Sequence, residues 1–405
     1  MSKKKNNKKW IRLRHSIVRN LLYGTLGVYS RLKYNIKIDR FKEQQKRPYL
    51  VLFNHQTAYD QFFVGMAFRG PVYYMASEDL FSNGFSSSLI RYLVAPIPIK
   101  KQTADVRAIM NCMKVAKEGG TIAIAPEGNR TYSGQTEYMN PSIAPLAKKL
   151  GMPIALYRIE GGYGVHPRWS DVVRRGKMHG YVSEVIYPEE YESLTYDELM
   201  ERIEKGLYVN EAQADADFSH PKLAEYLERA IYYCPYCGLS EFESRGDIIK
   251  CKKCAREVRY TPKKELVGVG FDFPYRFVLD WYRAQSDFTN ALDVGKYTEE
   301  PLSEDVADFY EVIPYKNKKL LSSGAKITLY GDRILIRDEN EDRLFSFDEV
   351  SAVTVLGKNK LDIYIGKSIY QIKSSKRFNA LKYVHIYNRH KNIARGDENV
   401  KFLGL

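Results

Sequence analysis

The sequence predicts an α/β chain: a mixed sheet flanked by helices, then a small four-cysteine zinc ribbon, then a small β-rich carboxyl-terminal domain closed by a helix. Three observations lead there. Short apolar runs at 49–53, 121–125 and 152–156 alternate with helix-like segments, as the buried strands of an α/β sheet do. Four of the five cysteines fall in two Cys-x-x-Cys pairs, the spacing of a metal knuckle. From Ser322 onward, short runs of alternating character follow one another at turn signals such as Gly331-Asp332.

A chain of 405 residues exceeds one domain on the usual scale of roughly 150 residues each. Apolar residues at 44% suffice for packed cores. The 32 tyrosines and a mean hydropathy of −0.43 argue against a polytopic membrane protein. Charge is uneven: residues 1–47 hold 15 Lys and Arg against Asp39 and Glu43, or +13 of the net +14. A uniformly basic surface would suit nucleic acid. A basic arm beside an apolar segment suits an anionic membrane surface, although residues 1–9 also read as a solubilising tail. No signal peptide is visible, so the cysteines read as reduced and metal-binding rather than as disulfides.

Along the chain, Trp10 leads into Ile17, Val18, Leu21, Leu22, Leu26 and Val28, with Arg12, Arg14, Arg19 and Arg31 interspersed. The longest uncharged piece, 20–30, falls short of the ~20 residues that span a bilayer. Two readings stand side by side: an amphipathic helix lying in a membrane interface, anchored by Trp10 and the arginines, or a helix packed on the next domain.

Chemistry first appears at 54–60, Asn-His-Gln-Thr-Ala-Tyr-Asp. On a helix His55 and Asp60 would stand roughly 140° apart, so they face one another only if His55 is in a loop and Asp60 starts the next element. The run 49–53 then ends in a loop at the carboxyl edge of a sheet, where open α/β folds place ligands. A second run, 121–125, ends in Pro126-Glu127-Gly128-Asn129-Arg130. If the two strands are neighbours, His55, Asp60, Glu127 and Arg130 line one crevice. A base, its orienting carboxylate and a guanidinium suit a substrate with both a hydroxyl and a phosphate.

The remaining elements read in order. Val106–Lys117 is a helix that buries Cys112 as a small apolar residue. Ile143–Leu150 is a helix that Gly151 ends, and 152–156 starts the next strand. Thr195 caps a helix, with Glu198 reaching back and Leu194 stapling onto Leu199. This first domain ends near Glu211, with 212–217 as linker and 221–232 as a further helix.

His-x4-Asp followed by Glu-Gly-x-Arg, each behind a strand-like run, resembles the glycerophospholipid acyltransferase family, typified by the 1-acyl-glycerol-3-phosphate acyltransferases. The resemblance covers about residues 30–210. It implies an acyltransferase-type sheet and an O-acyltransferase with no catalytic cofactor. It implies His55 as general base, Asp60 holding the imidazole, Arg130 binding phosphate, Glu127 positioning either the glycerol part of the substrate or the turn itself, and Gly128 as part of the same substrate-binding turn. Family members carry a basic residue, commonly arginine, near residue 100. This chain has Lys100 and Lys101 there, point charges without arginine's planar fork, and Lys100 is taken as the candidate. Pro153 matches a fourth block and shapes backbone.

Cys234, Cys237, Cys251 and Cys254 make two knuckles separated by thirteen residues. Four thiolates fill a tetrahedral sphere, so the implied Zn2+ is structural. The intervening loop offers Arg245 and Lys250 but also Glu241, Glu243 and Asp247, which gives no face for nucleic acid. An aromatic-rich connector, 263–321, includes a helix from Tyr275. The strands and final helix of 322–405 resemble a pleckstrin-homology-like or GRAM-like domain in architecture only, with His385 and His390 as packing or surface residues.

The expected organisation is therefore 1–47 membrane-associating segment, 48–211 acyltransferase domain, 212–262 helix and ribbon, 263–321 connector, and 322–405 β domain. The expected activity is acyl transfer from a thioester, on coenzyme A or a carrier protein, to a hydroxyl of lysophosphatidic acid or a related lysophospholipid, peripherally at the cytoplasmic face of a membrane. Two rivals remain: a zinc-ribbon binding protein with an inactive acyltransferase domain, and an acyltransferase for a different acceptor.

Overall fold

The computed structural model describes residues 9–42, 48–99, 105–213, 215–313, 316–338 and 341–396. Its first sheet has seven strands: β1 (Ile36–Ile38), β2 (Leu50–Phe53), β3 (Val72–Ser77), β4 (Ile97–Ile99), β5 (Thr121–Ile124), β6 (Ile154–Glu160) and β7 (Met178–Ile186). They lie in the order β1-β7-β6-β2-β5-β3-β4. β2 sits at the centre, parallel to both β5 and β6, and β6 and β7 are antiparallel, so the sheet is mixed. Alternate residues of the central strands feed opposite cores: Leu50, Leu52, Ile122 and Ile124 on one face, Val51, Phe53 and Ala123 on the other. Burial on both faces is why these strands read as unbroken apolar runs.

The helices that flank this sheet include α1 (Leu13–Tyr34), α2 (Asp60–Ala67), α3 (Gly84–Val94), α4 (Val106–Lys117) and α5 (Ile143–Leu150). Their ends follow local chemistry. Asp105 caps α4 by accepting from the amides of Arg107 and Ala108, worth about 1 kcal/mol. Gly151 closes α5 at φ +61°, where a side chain would be strained. The expected box forms at Thr195 and Glu198, opening the helix Tyr196–Leu207.

Segment 1–47 is tied to the sheet throughout its described part. The Trp10 indole donates to the Ala95 carbonyl at 3.0 Å, His15 bonds the Tyr73 hydroxyl at 3.1 Å, and Arg19 donates to the Phe68 carbonyl at 2.6 Å. Tyr34 is buried, and β1 pairs with β7. Thus α1 packs on the first domain, as one of the two readings held. It nevertheless leaves Leu13, Ile17, Leu21, Val28 and Leu32 exposed along one row.

Several expectations change beyond residue 211. The linker at 212–217 is not free: Ala212 is buried, and Glu211 accepts from the Gly161 amide at 2.7 Å. Residues 221–232 do not form a helix, only the single turn Leu227–Arg229. Tyr226 sits at φ +73° and donates its amide to the Ser244 hydroxyl, so ribbon contacts override the helical pattern. The ribbon sheet runs through Phe242–Arg245, Ile248–Cys251, Glu257–Tyr260 and Leu266–Gly268, past the boundary expected at 262. The connector helix starts at Val278 rather than Tyr275, because Phe277 is its cap and Asp280 reaches back to the Phe277 amide.

The last sheet is antiparallel and seven-stranded, and the boundary expected at 322 falls inside its strand Lys319–Leu329. Its strand Ser303–Glu311 went unread because only Ala307 and Phe309 are fully buried among charged neighbours. The closing helix is Leu381–Ala394, where His385 is buried against the Tyr232 hydroxyl. Ribbon, connector helix and β domain share one core that includes Cys234, Trp281, Phe309 and Tyr383.

Candidate active site

Parallel neighbours end on the same edge, so β2 and β5 deliver their following loops side by side. His55 lies in the loop after β2, and Asp60 is the first residue of α2. His55 Nδ1 meets Asp60 Oδ2 at 2.8 Å. The Asp60 carboxylate also accepts from the amides of Gln56 (2.7 Å) and Thr57 (2.9 Å) and from the Thr57 hydroxyl (2.6 Å). One buried carboxylate at a helix start therefore shapes the whole loop, favoured by the amide donors and the helix dipole. Asn54 pins the other side, exchanging two hydrogen bonds with the backbone of Ile159 on β6 (2.8 and 2.7 Å).

The two motifs are joined through the backbone of His55 itself. Its amide donates to Glu127 Oε1 at 2.7 Å, and its carbonyl accepts from the Thr131 amide at 3.2 Å. The second Glu127 oxygen accepts from the Glu137 amide at 2.9 Å. Glu127 is thus a bracket between the loops rather than a group facing solvent. Gly128 holds φ +69° in the exposed tip of this turn, a conformation glycine adopts without strain. Arg130 follows, with its Nη1 buried and without a protein partner.

Electrostatics follow from burial. Desolvation moves the His55 imidazole below its ordinary range, while the Asp60 hydrogen bond and charge pull it back up. Burial pushes Glu127 up to about 8 against its two amide donors. Burial and the nearby Arg168 charge bring Arg130 down to about 10. With Nδ1 committed to Asp60, Nε2 is the nitrogen of His55 that can take a proton.

Of the residues expected from sequence, His55, Asp60, Glu127, Gly128 and Arg130 gather on this edge. Lys100 lies outside the described residues. The four cysteines come together elsewhere, with all ligand sulfurs within 4.8 Å of one another. That donor set fits a tetrahedral Zn2+: Cys234, Cys237, Cys251 and Cys254 would hold the ion, which would staple the ribbon with no open position for substrate.

Sequence reading missed three neighbours. Arg168, 2% exposed, donates to the Arg130 carbonyl at 3.0 Å. His166 is buried, bonded through Nδ1 to the Tyr34 hydroxyl at 3.3 Å. Gln56 is buried with neither amide atom partnered, against Gly162, where a Cβ would approach its own Cβ to 2.6 Å. Arg168 and His166 sit in no motif, and only the fold brings them to the site; Gln56 lies inside the first motif, but nothing in its spacing marks it as buried and unpartnered.

Residues 35–158 match the family model described as Acyltransferase. Among solved structures, the 1-acyl-sn-glycerophosphate (LPA) acyltransferase, PlsC, from Thermotoga maritima is similar over 47% of this chain and 78% of that one. Its identity is 22% and its TM-score 0.39, too loose a likeness to carry an argument. No curated protein matches the chain. The matched segment contains both motifs and the strands that deliver them. Residues 35–158 therefore form an acyltransferase-type domain within a longer chain.

Proposed function

We propose that the chain transfers an acyl group from a thioester donor to a hydroxyl of a lysophosphatidate-type acceptor. The observation that carries this reading is the geometry around His55: an imidazole oriented by a buried carboxylate, on the same sheet edge as an incompletely partnered guanidinium. His55 Nε2 removes the proton of the acceptor hydroxyl as its oxygen attacks the thioester carbonyl. The resulting tetrahedral intermediate expels the thiolate, which takes the proton back from the imidazolium. The ester forms, the thioester breaks, and no acyl-enzyme is needed. Asp60 fixes the tautomer and stabilises the transient imidazolium.

Arg130 binds the acceptor phosphate in this scheme. Arg130→Ala is expected to raise the KM for lysophosphatidate about 30-fold or more, the scale of a lost charge-assisted bond, and to change a neutral acceptor little. Steady-state kinetics with both acceptors test this. An equal effect on both would sink the phosphate assignment and favour another acceptor, and no acyl transfer by the parent protein with any lysolipid would sink the enzyme itself.

The site acts from a lipid surface in this proposal. Among the described residues, no helix is long and apolar enough to cross a membrane. The exposed row on α1 lies beside α3, which exposes Phe85 (82%), Leu89 and Tyr92, with Arg14 laid over the Tyr92 ring. An apolar strip bordered by arginines suits an anionic interface. The double variant Leu21→Asp/Phe85→Asp should lose most cosedimentation with phosphatidylglycerol-containing vesicles while keeping its melting temperature. Parent-like sedimentation would place the membrane contact elsewhere.

A further inference from the structure

Four consecutive residues, Arg168 to Asp171, are gripped from three sides. The Arg168 guanidinium donates through Nη1 to the Arg130 carbonyl (3.0 Å) and through Nη2 to Asn129 Oδ1 (3.5 Å) and the Val355 carbonyl (3.3 Å). It also lies 4.2 Å over the Tyr132 ring. Arg229 donates to the Trp169 carbonyl and to Asp171, both at 2.8 Å. Lys358 bonds the Ser170 carbonyl and, at 2.9 Å, Asp171. Val355 and Lys358 belong to the hairpin formed by strands Ala352–Leu356 and Lys360–Ile365 of the β domain.

Resting on the reading of Arg130 as phosphate ligand, we propose that Arg168 is a positioning residue that ties the acceptor-binding turn to the carboxyl-terminal β domain. The turn needs such a tie. Its tip is an exposed glycine in the left-handed region, and its hold on the first motif runs through Glu127 and Thr131, on either side of Arg130. Between those two holds, the Arg130 carbonyl accepts from Arg168. A planar guanidinium suits this task, since its fork reaches two carbonyls and a side-chain oxygen at fixed angles. Placing a second buried cation beside Arg130 is costly in the empty site, and an arriving phosphate offsets that cost. The β domain thereby acts on acceptor affinity from a distance. Lys358, which hydrogen-bonds the Ser170 carbonyl and Asp171, governs the hairpin's grip, and the Lys358→Arg variant keeps the charge that it places near Arg130.

The test uses the full chain with Arg168→Ala, Lys358→Ala and Lys358→Arg. Arg168→Ala should raise the acceptor KM about tenfold and Lys358→Ala about threefold, with kcat and the thioester KM within about twofold of the parent. Lys358→Arg should restore the parent KM. Amide hydrogen exchange over 127–131 should quicken in Lys358→Ala, without any change in global melting temperature. Because Arg168→Ala removes a buried side chain and is at risk of unfolding, Lys358→Ala decides the matter. Parent-like KM and parent-like exchange in that variant overturn the coupling, as does a fall in kcat at unchanged KM. Exchange is read without turnover, so a parent protein lacking acyl transfer would overturn the proposed function and still leave the coupling decided.

Discussion

Alanine at position 55 is expected to lower kcat for acyl transfer about 10³-fold, within the range for losing a general base, with the acceptor KM near that of the parent. The expectation is sharp because the stitching between the two motifs uses only the backbone of His55: its amide to Glu127 and its carbonyl to the Thr131 amide. Truncating the side chain removes the proton acceptor and leaves the turn braced. Asp60→Asn should cost at least as much, since Asp60 sets the tautomer and also receives the amides of Gln56 and Thr57. The pH profile carries a sign. The base must be neutral, so kcat/KM falls as pH drops through the pKa of His55. Burial moves that pKa below the ordinary imidazole range, so the acid limb lies on the acid side of that range. Asp60 raises the imidazole pKa, so the residual activity of D60N should show its limb at still lower pH. An acid limb above 7, or unchanged turnover in H55A, would remove His55 from the chemistry.

Metal removal is expected to give the largest effect on stability. The protein should carry one zinc per chain, bound by Cys234, Cys237, Cys251 and Cys254. Structural zinc sites contribute many kcal/mol to folding, so losing even a few kcal/mol here lowers Tm by about 10 °C. Cys234 and Cys251 are 3% and 2% exposed and belong to the same core as the β domain. A chelator, or Cys251→Ser, should therefore loosen ribbon and β domain together. The two cores of the first sheet, which are separate from that one, should hold longer. Calorimetry with and without chelator, alongside metal analysis, checks this. Absence of zinc together with an unmoved transition would show the ribbon folds on its apolar packing alone.

Much of this molecule was legible locally. Gly151 and the Thr195–Glu198 box announced helix ends because their partners lie within four residues. The strands β2 and β5 were legible because two-sided burial demands an unbroken apolar run, and α4 and α5 because their periodicity matches their bounds. Residues 221–232 misled for the complementary reason. Their helical pattern is genuine, but the Tyr226 amide finds the Ser244 hydroxyl on the ribbon instead of a carbonyl one turn back. Strand Ser303–Glu311 was hidden because a strand with one wet face and few apolar residues resembles a charged loop until its partners are known.

By itself the sequence determined the two motifs, the metal knuckles and the placement of His55 and Arg130 in loops that follow buried strands. It did so because each depends on short-range spacing and on burial patterns. The tertiary structure alone decided that β2 and β5 are parallel neighbours, that Glu127 brackets the His55 backbone, and that Arg168 joins Arg130 to a strand 187 residues further on. Those contacts unite segments whose individual compositions carry no trace of one another. A hydrogen bond between distant residues leaves no period in the chain, and only the packing that brings its donor and acceptor together reveals it.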